Sequence, residues 1–254
     1  SLAAEYRVPY LAHAALEPMN AVASVTADGA ELWAGNQAPD VLQGLAARLL
    51  EIAPEKVRVH STWIGGAFGR RTYMDFALEA VALSRALGAP VKVIWSREDD
   101  TRHDHYRPAA MAAMRADFGA DGKLLGWDAR IVAPSVMSTM VDVMLPVMLP
   151  QWAPLGVGTV VKPLAAKYDP MLTEGVDSIP YAMPYLRVEG LVSDHGIPVG
   201  VWRSVGHSQN AFFSESFVDE VAHALGEDPV RFRLERLPVD SRVRGALELL
   251  VARG

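Results

Sequence analysis

The stretch of this sequence best equipped for chemistry is Gly65-Gly66-Ala67-Phe68-Gly69-Arg70-Arg71. Three glycines in five residues admit backbone angles that other residues resist, and let the main chain approach a ligand closely. Successive free N–H groups ahead of a helix make a nest for an anion, and two arginines follow at once. Such a turn suits a phosphate, an oxyanion or an oxo-metal centre. It matches neither the dinucleotide fingerprint nor the phosphate-loop pattern, so alone it is a weak signal. A second stretch, Val201 to Gly206, repeats the design with Arg203 and Gly206 ahead of a helix. Side by side, two such loops would grip one anionic group from both sides. The plainer reading is a surface arginine and a turn glycine.

Other polar groups carry less. His103 and His105, with Asp99, Asp100 and Asp104, have the composition of a metal site, but a solvated polar loop is the simpler account. Glu17 and Glu174 are candidate acid–base groups that nothing in the sequence pairs. Ser204 and Ser208 lack a nucleophile-elbow pattern. Trp33, Trp63, Trp95, Trp127 and Trp202 lie mostly in or beside predicted strands and read as core.

The elements that position these groups follow from periodicity. Residues 10–20 form a loop around Pro18. Two extended runs, 21–25 and 30–34, are joined by Ala27-Asp28-Gly29 as a hairpin. A helix over 40–52 is expected from its apolar stripe, Val41, Leu42, Leu45, Leu49 and Ile52, with Asp40 as cap. A strand over 56–61 feeds the glycine turn, and a helix over 73–87 leaves it, stopped by Gly88. A strand over 91–95 and a charged loop over 97–108 come next. A second hairpin pairs 112–116 with 124–132. Residues 135–179 have no clear period and read as irregular connecting structure, with at most a short helix. A strand over 185–192 precedes the second loop, and an amphipathic helix over 207–225 follows it. Asp228 and Pro229 open another helix, and Asp240 is the expected cap of a last one. The succession predicts an α+β fold with mixed sheets flanked by helices. One portion over 1–254 is expected, with subdomains 1–134 and 180–254 joined by 135–179.

Composition narrows the functional classes. At 254 residues, half of them hydrophobic, the chain can bury a large core. A net charge of −6 with no basic block speaks against nucleic acid as a partner. Without cysteine there is no disulfide, thiolate metal site or cysteine nucleophile. No apolar run is long enough to span a bilayer.

Several spaced motifs occur together: His13-x-x-x-Glu17-Pro18, Trp33-x-x-x-Gln37-x-Pro39, the turn from Gly65 to Arg71, Trp95 to Asp100, and Pro198 to Gly206. In this order they resemble the molybdenum-binding large subunit of the xanthine dehydrogenase/aldehyde oxidase family. The branch they look most like is the isoquinoline 1-oxidoreductase β-subunit type of bacterial aldehyde and N-heterocycle dehydrogenases. The resemblance covers nearly the whole chain. It implies a molybdopterin cofactor, in many bacterial members its cytosine dinucleotide form, held between domains by such loops. It also implies hydroxylation of an electron-poor carbon with water-derived oxygen, and electron exit through an iron–sulfur subunit.

Carried over by motif, Gln37 matches a glutamine whose amide lies near a molybdenum oxygen ligand. Gly65, Gly66, Ala67, Phe68, Gly69 and Arg70 match the loop beside the metal. Arg203 and Ser204 match the second cofactor loop. Arg107 aligns with a substrate-binding arginine of xanthine-type members. No residue of this chain is expected to ligate the metal directly. Two departures stand out. Thr72 occupies the position of a substrate-binding glutamate of xanthine-type enzymes, which turns the expectation from purines toward an aldehyde or another heteroaromatic. The family's catalytic glutamate falls outside the matched stretch. The chain therefore reads as part of a larger subunit, inactive and without cofactor on its own, whose partners are the rest of that subunit and an iron–sulfur subunit. Two other readings stay open. One is a non-catalytic binding or assembly module that kept the fold, and the other an unrelated nucleotide-binding enzyme using the Gly65–Arg71 turn.

Overall fold

A computed structural model describes every residue except Gln151 and Pro154. After β1 (Leu2–Val8) the chain crosses to a hairpin of β2 (Asn20–Val25) and β3 (Ala30–Ala34). It continues through α1 (Pro39–Leu50), β4 (Val57–Ser61), α2 (Asp75–Leu87) and β5 (Val91–Ile94). It returns by α3 (Arg97–Arg102) to a second hairpin, β6 (Ala110–Phe118) and β7 (Leu124–Ala133). Helices α4 (Val136–Met148) and α5 (Gly158–Lys167) lead to β8 (Leu186–Val192). Then come α6 (His207–Ala224), α7 (Pro229–Arg236) and α8 (Arg242–Arg253).

Among the described residues the strands form two mixed four-stranded sheets, ordered β1-β6-β7-β8 and β4-β3-β2-β5. In each, a hairpin supplies an antiparallel pair (β6–β7, β2–β3) and one parallel partner joins through a crossover (β8 beside β7, β4 beside β3). The inner faces are rich in alanine. Ala21, Ala23, Ala30 and Ala34 face α1 and α2, which answer with Ala46, Ala47, Ala77 and Ala80 in the same core. Short side chains on both sides let helix and sheet approach closely, at native packing density. The other sheet presents Ala110, Ala112 and Ala116 with Met114 and Trp127 to α6, which contributes Phe213, Phe217, Val218 and Val221. The α+β expectation of mixed sheets flanked by helices holds.

Several finer expectations are corrected. Residues 135–179 are not irregular: α4 and α5 occupy much of them, with Val143 reaching the first core and Met140 and Met144 packed against it. Their period is hidden because Pro146 and Pro163 lie inside the helices. The sheets also cut across the expected 1–134/180–254 division. Strand β8 pairs with β7 in full register, Trp127 against Leu186 through Ala133 against Val192. Residues 97–102 are helical, because Ser96 and Asp99 form a capping box. Helix α1 starts on Pro39, and its N-cap Ala38 makes no side-chain cap bond, so Asp40 sits in the first turn. The cap of α8 is Ser241, whose side chain accepts from the Val243 amide, and not Asp240. Leu49, placed on the buried stripe of its helix by periodicity, is exposed, while Leu50 is buried. Among the described residues no helix is long and apolar enough to cross a membrane.

Candidate cofactor site at the seam of the sheets

The first glycine loop leaves β4 at the edge of the short-strand sheet. Its path needs left-handed backbone at Gly66 (φ +105°), Phe68 (+56°) and Gly69 (+109°), a region that costs a phenylalanine energy and a glycine little. The loop is tied at both ends. The Gly65 amide donates to Glu17 Oε2 at 2.7 Å, and the Gly69 amide donates to Gln37 Oε1 at 3.1 Å. Between them the amides of Gly66, Ala67 and Phe68 have no hydrogen-bond partner among the described residues. Three successive unpartnered N–H groups are the nest that the sequence suggested.

The two arginines do not face outward. Arg70 and Arg71 are fully buried. Arg70 donates from Nη1 and Nη2 to the two Asp75 oxygens at 2.8 Å each. Its Nε lies 3.1 Å from Asp104 Oδ1, within ion-pair distance though outside hydrogen-bond angle. Arg71 stitches the loop to its surroundings, donating to the carbonyls of Gly66, Gly35 and Glu17 and to Glu17 Oε2. Arg70, expected on the cofactor loop, therefore turns its side chain inward, away from the nest. Its guanidinium is committed to two carboxylates, and an unpaired buried guanidinium would be costly.

The second loop has the same construction. Ser204 (φ +67°) and Val205 (φ +48°) are left-handed, a rare state for a β-branched residue and a mark of local strain held by its surroundings. The Gly206 amide donates to Glu174 Oε2 at 3.0 Å, and the Val201 amide donates to the Tyr73 hydroxyl at 3.1 Å. The amides of Trp202, Arg203 and Ser204 are unpartnered among the described residues, and Arg203 and Ser204 are exposed. Glu17 and Glu174, unpaired in the sequence, turn out to anchor one loop each.

The loops touch. A Cβ added at Gly69 would lie 1.7 Å from the Val201 carbonyl oxygen, so only glycine permits this approach. Beneath the contact, Nδ1 of the buried His13 lies 3.0 and 3.1 Å from Asp104 Oδ1 and Oδ2, and its Nε2 lies 3.0 Å from the Val201 carbonyl oxygen. The His13 amide donates to Asp104 Oδ2 at 2.6 Å. Burial raises the Asp104 carboxyl, but hydrogen bonds from His13 and the charge of His13 and Arg70 outweigh it and hold Asp104 below the ordinary range. Glu17 is likewise lowered: burial opposes, and the Gly65 amide, Asn20 and Arg71 prevail.

The sequence-predicted residues therefore gather at one seam, with exceptions. Gly65 through Gly69, Gln37, Arg203 and Ser204 lie on or against the paired loops. Gln37 is exposed, and with Oε1 taken by Gly69 its Nε2 has no partner among the described residues, leaving a donor free beside the nest. Arg107 lies behind the second loop, lining a narrow hollow with Trp202, Val205 and Gln209. One Nη2 is spent on the Pro9 carbonyl at 2.8 Å, and Nε is buried without a partner. Asp104, assigned to a solvated polar loop, is buried, and Asp100 is buried and paired with Arg97. Among the described residues no group of three or more His, Cys, Asp or Glu is placed to hold a metal. Of the tryptophans, Trp95 and Trp127 are core, whereas Trp63 is almost fully exposed. The sequence missed the roles of Arg71, Tyr73 and Asp104; the His13-x-x-x-Glu17 motif was the available signal for two others.

Two adjoining rows of free amides, with the free Nε2 donor of Gln37 beside them and no metal-ligating cluster among the described residues, fit a group that is anionic and brings its own ligands. Residues 1–149 match the family model described as molybdopterin cofactor-binding domain. The chain belongs to this family. The molybdopterin-binding chain is 36% identical over 230 residues to isoquinoline 1-oxidoreductase subunit beta of Brevundimonas diminuta. The match covers 90% of this chain and 27% of that protein. Its fold resembles that of the aldehyde oxidoreductase of Desulfovibrio gigas, with a TM-score of 0.74 at 19% identity, over 99% of this chain and 27% of that one. Quinoline 2-oxidoreductase of Pseudomonas putida 86 resembles it equally, with a TM-score of 0.74 over 99% of this chain and 32% of that one. The molybdopterin-binding chain thus spans between a quarter and a third of the length of these proteins.

Proposed function

We propose that this chain is the part of a molybdenum hydroxylase that grips the pterin cofactor on one side, in an enzyme that oxidises an aldehyde or an N-heterocycle with water-derived oxygen. The observation that carries the reading is the contact of Gly69 with Val201, which sets two rows of unpartnered amides side by side. When bound, the cofactor supplies the redox chemistry. This chain's residues bind and orient. The amides of Gly66, Ala67 and Phe68 and those of Trp202, Arg203 and Ser204 present N–H donors to its anionic groups. Gln37 Nε2 offers a further donor, held in place by the Gly69 amide on its oxygen.

The substrate class rests on two supports. The curated relative is named for an N-heterocycle, isoquinoline, and Thr72, half-buried just after the loop, offers no carboxylate to a purine. Arg107, its Nη2 already engaged, is proposed to border the substrate approach. The cytosine dinucleotide form of the cofactor, an iron–sulfur partner subunit, and inactivity of this chain alone belong to the same proposal. The test is dye reduction by the whole subunit with its partners. Aldehydes or N-heterocycles are expected to reduce the dye and xanthine is not, while the chain of 254 residues alone gives no turnover. Preferential turnover of xanthine, or turnover by the chain alone, would overturn the reading.

A further inference from the structure

We propose that His13 is a positioning residue that sets the spacing of the two cofactor loops, and that it does so as an imidazolium with a hydrogen on each ring nitrogen. The role of the loops is taken from the proposed function; the brace itself stands on geometry. The ring is buried, with a side-chain exposure of 1%, so water does not satisfy either nitrogen. Nδ1 faces Asp104 and Nε2 faces the Val201 carbonyl. The carbonyl can only accept.

The Asp104 carboxyl faces donors at both oxygens. Oδ2 accepts from the His13 amide at 2.6 Å, and Oδ1 lies 3.1 Å from Arg70 Nε. It is a carboxylate, and it too can only accept. A neutral imidazole owns one N–H. It would leave a nitrogen lone pair pressed against an oxygen lone pair in a buried site, which is the costly arrangement. Two acceptors, one on each nitrogen, call for two hydrogens. Of the other charged groups around the pair, Asp100 acts on Asp104, Arg97, Arg70 and Arg71, and Asp75 pairs with Arg70 and lies against His105.

The consequence is mechanical. Asp104 holds Arg70, at the exit of the first loop, and His13, whose other nitrogen holds Val201, at the entry of the second. His13 Nε2 also lies 3.4 Å from where a Gly69 Cβ would be. One carboxylate and one imidazolium therefore tie both loops at their point of contact. The neighbouring left-handed residues Ala14, Phe68, Ser204 and Val205 are the strain that such ties hold in place.

The experiment has two readouts, neither dependent on the cofactor. In protein labelled with 15N-histidine, both ring nitrogens of His13 are expected to carry hydrogen at pH 7.5. The signal is assigned by its loss in His13→Asn. In hydrogen exchange read by mass spectrometry, His13→Asn keeps a donor near Nδ1 and drops the one to Val201. Exchange of the hydrogen-bonded amides of Val201, Val205 and Gly206 is expected to rise about tenfold, the equivalent of one charge-assisted hydrogen bond, with β6 and β7 unchanged. His13→Gln, which restores a donor near Nε2, is expected to recover part of that protection. A ring nitrogen without hydrogen, or wild-type exchange at the Val201, Val205 and Gly206 amides in His13→Asn, overturns the proposal. Should both variants fail to fold, the ring spectrum of the unaltered protein, assigned by contact with Asp104, decides alone. Failure here leaves the cofactor reading standing, and absence of a cofactor leaves the brace standing.

Discussion

At the scale of single residues, the pair Arg70 and Arg71 shows how position in a motif misleads about direction. Two arginines after a glycine turn read as arms for an anion, yet both guanidinia are buried and held by carboxylates and carbonyls. Their orientation is decided by Asp75, Asp104, Gly35 and Glu17, which periodicity cannot bring together. Removing one partner of such a buried cluster leaves the others unpaired. Arg70→Met is therefore expected to cost about 3–5 kcal/mol in urea unfolding, and a loss below about 1 kcal/mol would return Arg70 to the ligand-facing group. Gln37 is the opposite case. It is exposed and its side chain makes one hydrogen bond, so Gln37→Ala is expected to change stability by about 1 kcal/mol at most. In the complete enzyme it is expected to lower kcat/KM by at least about tenfold, the loss of one well-placed donor. Unchanged kcat/KM would remove Gln37 from the site.

At the scale of elements, both hairpins and the helices beside the loops are legible, because alternation and a glycine stop are local signals. Gly88 shows this directly: its φ of +63° ends α2 and its amide donates to the Ser84 carbonyl. Helices α4 and α5 were not legible, since each carries a proline where the pattern expects an amide donor. What no local signal conveys is the meeting of two loops separated by more than half the chain. Gly69 is the test of that meeting. Gly69→Ala meets both a left-handed φ and the Val201 oxygen, whereas Gly122→Ala meets a left-handed φ with nothing within 4 Å. The Gly122 change is expected to cost about 1 kcal/mol. The Gly69 change is expected to cost at least about twice that in the same denaturation experiment, because backbone must move as well. Equal costs would mean that the loops are free to part.

At the scale of the molecule, acid is expected to act on the seam first. Asp75, Asp104 and Glu17 are each raised by burial and lowered more strongly by their partners, so each ends below its ordinary value. A carboxylate depressed in the folded state stabilises above its unfolded value, about 3.9–4.3. That contribution is lost as pH falls through the lower folded value. Asp100, raised chiefly by burial, works the other way, stabilising at low pH and losing that contribution as pH rises. With three groups against one, unfolding free energy is expected to fall between pH 5 and pH 3; equal or greater stability at pH 3 would contradict the ion-pair account of the seam. The central claim is that the seam holds a molybdopterin. It is tested most directly by measuring molybdenum and pterin together in the whole subunit, purified with its partners from a host that makes the cofactor. The account predicts both at near one per subunit, and both lost together in the Gly69→Ala variant. A well-folded subunit containing neither would contradict it.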